Sequence, residues 1–205
     1  ALLYTDVANA AFFTIFYVPM VPIIIFIFKK DFLHWSVWPS VILCLIGGYL
    51  LTNFQDATVR LGDTLVILGA LFWSTHIIFT GMIIKKYNLP LTIGAIQTLL
   101  VALFSFVIGL FSEEFVIENI LNEIDSILYA GILSGGFAFV LQIYAQRNIT
   151  PAPAAIIFSL EGVFATIAAW FLLNQILGIN NLLGCFFILS GVLLSQLVPL
   201  IKKTT

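Results

Sequence analysis

The sequence predicts an all-α fold, a polytopic membrane helix bundle, on three observations. Of its 205 residues, 61% are hydrophobic and 9% charged, whereas soluble domains carry roughly a quarter charged residues. Apolar runs recur along the whole chain, each near the roughly 20 residues that cross about 30 Å of hydrocarbon as a helix. Stretches such as VPIIIFIF and AIQTLLVALFSFVIGLF lack the alternation over about ten residues that a membrane β-barrel would show.

Seven runs follow in order: Val7 to Phe28 (A), Val37 to Thr52 (B), Thr64 to Ile84 (C), Leu91 to Phe111 (D), Ser126 to Gln146 (E), Ala152 to Leu173 (F) and Asn180 to Ile201 (G). Run A contains Pro19 and Pro22. Each removes a backbone hydrogen bond, so a kink or break is expected there, tolerable where it packs in protein or lines a cavity. Pro39 and Pro90 lie at the starts of B and D, where a missing N–H costs nothing. Trp35 and Trp38, near Lys29 and Lys30, fit an interfacial aromatic anchor. Cys44 and Cys185 fall inside B and G and read as small packing residues rather than a disulfide. In run E, GILSG (residues 131 to 135) has the G-x-x-x-G spacing of close helix packing.

If the seven helices alternate in direction, the loops after A, C and E share one side of the membrane with the C-terminal tail. That side carries Lys29, Lys30, Lys85, Lys86, Arg147, Lys202 and Lys203, and the other has only Arg60 beside the acidic stretch SEEFVIENILNEID. The positive-inside rule places the seven basic residues in the cytoplasm. Acidic and basic counts nearly cancel at net charge -2, which argues against a nucleic-acid partner.

Sliding the chain against itself by 144 positions lays A and B over F and G without a gap: Ala10 and Ala11 meet Ala154 and Ala155, Ile23 meets Ile167, and Gly47 meets Gly191. A and F are an odd number of crossings apart, so the copies run in opposite directions. That is an inverted-topology repeat, a plan of secondary transporters that bind substrate near the midplane. Residues 1–55 then read as the last two helices of a first repeat and residues 62–203 as a complete second repeat of five. The chain begins at Ala1, without an initiator Met, and three helices are expected to precede it, making seven here of ten in all.

Glu161 is the main candidate for chemistry. It stands about nine residues from the cytoplasmic start of F, roughly 14 Å deep at 1.5 Å per residue. An ionised carboxylate facing lipid there costs several kcal/mol, so it should face the bundle interior or water. It reads either as a substrate and proton site or as a hydrogen-bonded residue locking F to a neighbour. Ala154, Phe158, Glu161, Ala165 and Ala168 recur at three- and four-residue steps as one stripe. Tyr17 is the repeat equivalent of Glu161, either a site residue or a packing residue. His76, with Trp73 one turn before and Thr80 one turn after, is either a proton partner or structural. Gln97 lies on a stripe with Gly94, Val101 and Ser105, and Gln142 on one with Gly135, Ala138 and Gln146. Their amides either bind polar substrate or tie helices together.

The stretches TDVANAAFFTIFYVPMVP, GDTLVILGALFWSTHIIF, AFVLQIYAQRNITPAPAAIIFSLEGVFATIAAWFLLNQ and LLGCFFILSGVLLSQ resemble the EamA-type permeases of the drug/metabolite transporter superfamily, across essentially the whole chain. AQRNITPAPAAIIFSLE is the most specific part. The resemblance implies ten helices in two inverted halves, both ends cytoplasmic, and export of small metabolites or amino acids. One departure is SLEG where the family usually reads S-L-E-P, so Gly162 stands where a Pro would stiffen or kink F.

No nucleotide-binding loop or metal-ligand cluster is visible, so no cofactor is expected and energy should come from an ion gradient or the substrate's own. The expected partners are a small-molecule substrate, the lipid bilayer and protons as a coupling ion, in a bacterial inner membrane. An intramembrane protease would have only Ser134 and His76, without a recognised nucleophile loop. A retinal protein would need a lysine within G, which has none before Lys202. The alternative to a carrier is a receptor or a structural membrane subunit, neither of which explains a mid-membrane acid.

Overall fold

The computed structural model describes residues 1, 3–5, 7–29, 33–52, 60–112 and 116–201. Regular structure among them is helical throughout. The elements are α1 (Val7–Thr14), α2 (Tyr17–Lys29), α3 (Val37–Thr52), α4 (Leu61–Tyr87), α5 (Pro90–Ser112), α6 (Ile117–Asn122), α7 (Ile124–Leu128), a π-helix (Tyr129–Ala138), α8 (Phe139–Ala145), α9 (Pro151–Phe158), α10 (Leu160–Leu173) and α11 (Ile179–Ile201).

Among the described residues, six stretches are long and apolar enough to cross a membrane: Asn9–Phe28, Leu61–Tyr87, Pro90–Ser112, Ile124–Ala145, Pro151–Leu173 and Ile179–Ile201. They correspond to runs A, C, D, E, F and G, so the fold is a polytopic membrane bundle. Run B is α3, apolar but only 16 residues long, or about 24 Å at 1.5 Å per residue. Of the seven basic residues that orient the chain, Lys30, Lys202 and Lys203 lie outside the described residues, as do Glu113 and Glu114 of the acidic stretch.

The described chain forms two compact units, Ala1–Phe79 with Thr150–Thr205, and Thr80–Ile149. In the first, Val18 and Val21 of α2, Cys44 of α3, Ile77 of α4, Ile156 of α9 and Ile188 of α11 make one buried core. Cys44 packs there as a free thiol, and Cys185 is also free. The tightest contact is between α3 and α11. A Cβ on Gly47 would sit 2.7 Å from the Gly184 carbonyl, and one on Gly191 would sit 2.8 Å from the Ser40 carbonyl. Only glycine permits that approach, as at membrane helix interfaces generally. Gly47 faces Gly184 and Ile188 while Gly191 faces Ser40 and Cys44, so the two helices run antiparallel.

Run A breaks between α1 and α2. Pro19 has no N–H to give the Ile15 carbonyl, which instead accepts from the Val18 amide at 2.9 Å, and the turn tightens. Pro22 lies inside α2 and does not interrupt it, so of the two kinks expected only the one upstream of Pro19 forms a break. Run F breaks between α9 and α10 at Ser159, where the Gly162 amide reaches back to the Ser159 carbonyl at 3.2 Å. Pro39 falls in the first turn of α3 and Pro90 opens α5, as their chemistry requires. The first turn of α4 is tied down by Asp63, which accepts the Arg60 amide at 2.8 Å and the Thr5 hydroxyl.

In the second unit α5 packs on α8, with Gly94 against Val140 and Ile143. The π-helix revises two expectations for run E. A Cβ on Gly131 would meet nothing, and one on Gly135 only the Ala130 carbonyl of its own helix, so GILSG is no packing interface among the described residues. The stripe joining Gly135 and Ala138 to Gln142 assumed α-helical spacing, which i to i+5 bonding does not keep. Lys86 lies over the Tyr87 ring at 5.0 Å and Arg147 over Tyr144 at 4.9 Å, pairings typical of residues at a membrane surface.

Candidate functional site

The break in run F creates the site. Ser159 donates its hydroxyl to the Ile156 carbonyl at 2.6 Å, with the Cys44 sulfur 3.4 Å away, and this side-chain bond competes with the helix ladder. The chain resumes as α10 with Glu161 in its first turn, where a carboxylate also sits well against the helix dipole. Glu161 opens onto a cleft of about 910 Å³ within the first unit, inside the range of about 300–1,000 Å³ common for small-molecule sites.

The walls come from four directions: Ala11, Thr14 and Ile15 of α1 and its break, Leu51 and Thr52 of α3, Gly162, Ala165 and Thr166 of α10, and Gln175 to Leu177 with Asn181 after it. That last segment is folded back by Asn174, which takes the left-handed conformation (φ 52°) and lets the Gln175 amide bond the Ala169 carbonyl at 3.2 Å. Glu161 is the one charged residue among the described lining residues. Among the described residues its carboxyl takes no hydrogen bond from a neighbouring helix.

The stripe expected around Glu161 is split. Ala165 lines the cleft with it, but Ala154 is buried and Phe158 packs against the core, because the break at Ser159 separates their helix from α10. Tyr17 is buried at 1% exposure in the core, not on the cleft wall. Among the described residues its hydroxyl has no hydrogen-bond partner, and it is near enough to Glu161 and Cys44 to interact electrostatically. Tyr17 is thus a core neighbour of Glu161 rather than a cleft residue.

Trp73 and His76 stack on each other, ring centres 5.1 Å apart and planes 19° from parallel, and neither is among the residues lining the cleft. α4 reaches α2 through Ser74, whose hydroxyl lies 3.4 Å from the Tyr17 carbonyl. Gln97 and Gln142 are half-buried in the second unit, and the Gln142 Nε2 is buried without a hydrogen-bond partner among the described residues. The structure therefore joins Glu161 and Tyr17 in one neighbourhood, pairs Trp73 with His76, and keeps the two glutamines to their own unit.

Sequence reasoning missed Thr14, Thr52, Thr166, Gln175 and Asn181 as cleft residues. For Thr166 a signal existed, one turn beyond Gly162 on the same face. Gln175 and Asn181 carried none, since their place depends on the turn at Asn174.

The EamA-like transporter family model matches residues 60–197. An uncharacterized transporter of Archaeoglobus fulgidus is 30% identical over 200 residues, covering 95% of this chain and 62% of its own length. The uncharacterized transporter YoaV of Bacillus subtilis is 26% identical over 159 residues, 75% of this chain and 52% of its own. Protein WALLS ARE THIN 1 of Arabidopsis thaliana is 27% identical over 166 residues, 78% of this chain and 40% of its own. The chain thus spans between 40% and 62% of the length of these three relatives. With a family match over most of its length and membrane helices in the expected order, this multi-pass membrane protein belongs to the EamA-like transporter family.

Proposed function

We propose that the chain forms part of a secondary carrier that exports or exchanges a small metabolite, amino acid or drug by alternating access, with the Glu161 cleft as its binding site. The observation that carries this reading is a cleft of about 910 Å³ holding one carboxylate among its described lining residues, in a member of a transporter family.

Two features support an inverted repeat of five plus five helices, with residues 1–55 ending the first copy and 62–203 forming the second. The antiparallel pair α3 and α11 derives from equivalent runs B and G. The helix breaks fall in register too, since α1 (Val7–Thr14) shifted by 144 overlies α9 (Pro151–Phe158). Halves of that kind rock about a central site. The basic residues put the C-terminus in the cytoplasm of a bacterial inner membrane, and the Gln175 side of the cleft toward the exterior.

Glu161 binds substrate or the coupling proton, Tyr17 lies in the core near it, and the stacked Trp73 and His76 of α4 are further candidates on the pathway, away from the cleft lining. Gln97 and Gln142 are candidate polar contacts within the second unit. The test is flux in proteoliposomes: Glu161→Gln abolishes or uncouples transport while the protein remains folded in the membrane. Unchanged, still proton-dependent flux would remove Glu161 from the mechanism.

A further inference from the structure

The hydroxyls around the cleft share one character: they offer acceptors rather than donors. Thr14 donates its hydroxyl to the Ala10 carbonyl at 2.7 Å, Thr52 to the Gly48 carbonyl at 3.0 Å and Thr166 to the Gly162 carbonyl at 2.8 Å. The Ser159 hydroxyl proton is turned to Ile156 in the same way. A hydroxyl whose single proton is committed to its own helix can offer a ligand only its oxygen lone pairs. Four such oxygens accompany the Glu161 carboxylate, and the described lining residues include no Lys, Arg or His. The side-chain donors left are the amides of Gln175 and Asn181, beyond the end of α10. Ala11, Ile15 and Ala165 supply apolar wall.

A site of acceptors around one carboxylate leaves a ligand anion with few donors and a neutral hydroxyl with partial satisfaction. An ammonium group supplies three donors and the opposite charge, making charge-assisted bonds roughly twice as strong as neutral ones. We propose that the cleft selects ligands bearing a protonated amine on a compact apolar body, the ammonium seated at Glu161 and the body against Ala11, Ile15 and Ala165. This assignment rests on the carrier reading and narrows its substrate class.

The experiment measures binding to the full-length protein in detergent by titration calorimetry. The probes are phenethylamine, 2-phenylethanol and 3-phenylpropanoate, which share one body and differ in head group. Phenethylamine is expected to bind about tenfold or more tighter than either analogue, and Glu161→Gln to remove that preference. Glu161→Asp, which keeps the charge, is expected to retain it, separating lost charge from lost fold. Failure of phenethylamine to bind, equal or tighter binding of the carboxylate, or an amine preference surviving Glu161→Gln overturns the assignment. Proteoliposome flux distinguishes that outcome from failure of the carrier itself. If the alcohol or carboxylate is transported and Ala165→Phe blocks its flux, the carrier reading stands and only the amine class falls.

Discussion

Two helix breaks, one upstream of Tyr17 and one upstream of Glu161, lie 144 residues apart in the chain and arise from different chemistry. In the first, Pro19 withholds an N–H and the Ile15 carbonyl turns to Val18. In the second no proline follows: the Ser159 hydroxyl captures the Ile156 carbonyl and the Gly162 amide takes that of Ser159. The residue delivered by each break then diverges. Tyr17 goes into the core and Glu161 onto a cleft. The same backbone event thus serves packing on one side and polar exposure on the other, and the side chain after the break decides which.

Substitutions that break or sharpen this contrast fall in order of size. Tyr17→Ala empties a fully packed site and is expected to destabilise the protein by about 3–5 kcal/mol, read from denaturation in detergent. Glu161→Gln removes a charge from an exposed cleft position, so stability stays close to that of the unmodified protein. Its effect is on flux, a loss of about 100-fold, equivalent to roughly 3 kcal/mol of a charged hydrogen bond. Ser159→Ala frees the Ile156 carbonyl to resume the helix ladder and is expected to change stability and flux by about 1 kcal/mol each. Gly162→Pro, which restores the family's usual S-L-E-P, removes the N–H that the Ser159 carbonyl accepts and brings a Cβ to 3.3 Å from the Leu51 Cδ1, so it is expected to destabilise the protein by about 1 kcal/mol. Tyr17→Phe deletes a hydroxyl that has no partner among the described residues and is expected to be neutral or slightly stabilising.

Much of this was legible in the residues. Run lengths gave the helices to within a few positions, and α3 begins and ends where run B does, at Val37 and Thr52. Glu161 stood out because a carboxylate in an apolar run needs water or a partner. Periodicity identifies a helix face without saying what covers it, so Tyr17 and Glu161, equivalent in the expected repeat, looked alike until the core and the cleft separated them. The stripe through Ala154 and Ala165 failed for a related reason: spacing rules assume an unbroken helix, and Ser159 breaks it. The π-helix at Tyr129–Ala138 likewise left no mark in composition. The committed threonine protons depend on rotamers, which sequence does not encode locally.

The most direct measurement is solvent access at positions 17 and 161. In full-length protein carrying Cys44→Ala and Cys185→Ala, Glu161→Cys and Tyr17→Cys are introduced singly and treated with a water-soluble maleimide. Rapid modification is expected at position 161 and none at position 17 until the protein is denatured. Protection at position 161 with reaction at position 17, or equal reaction at both, would contradict that expectation.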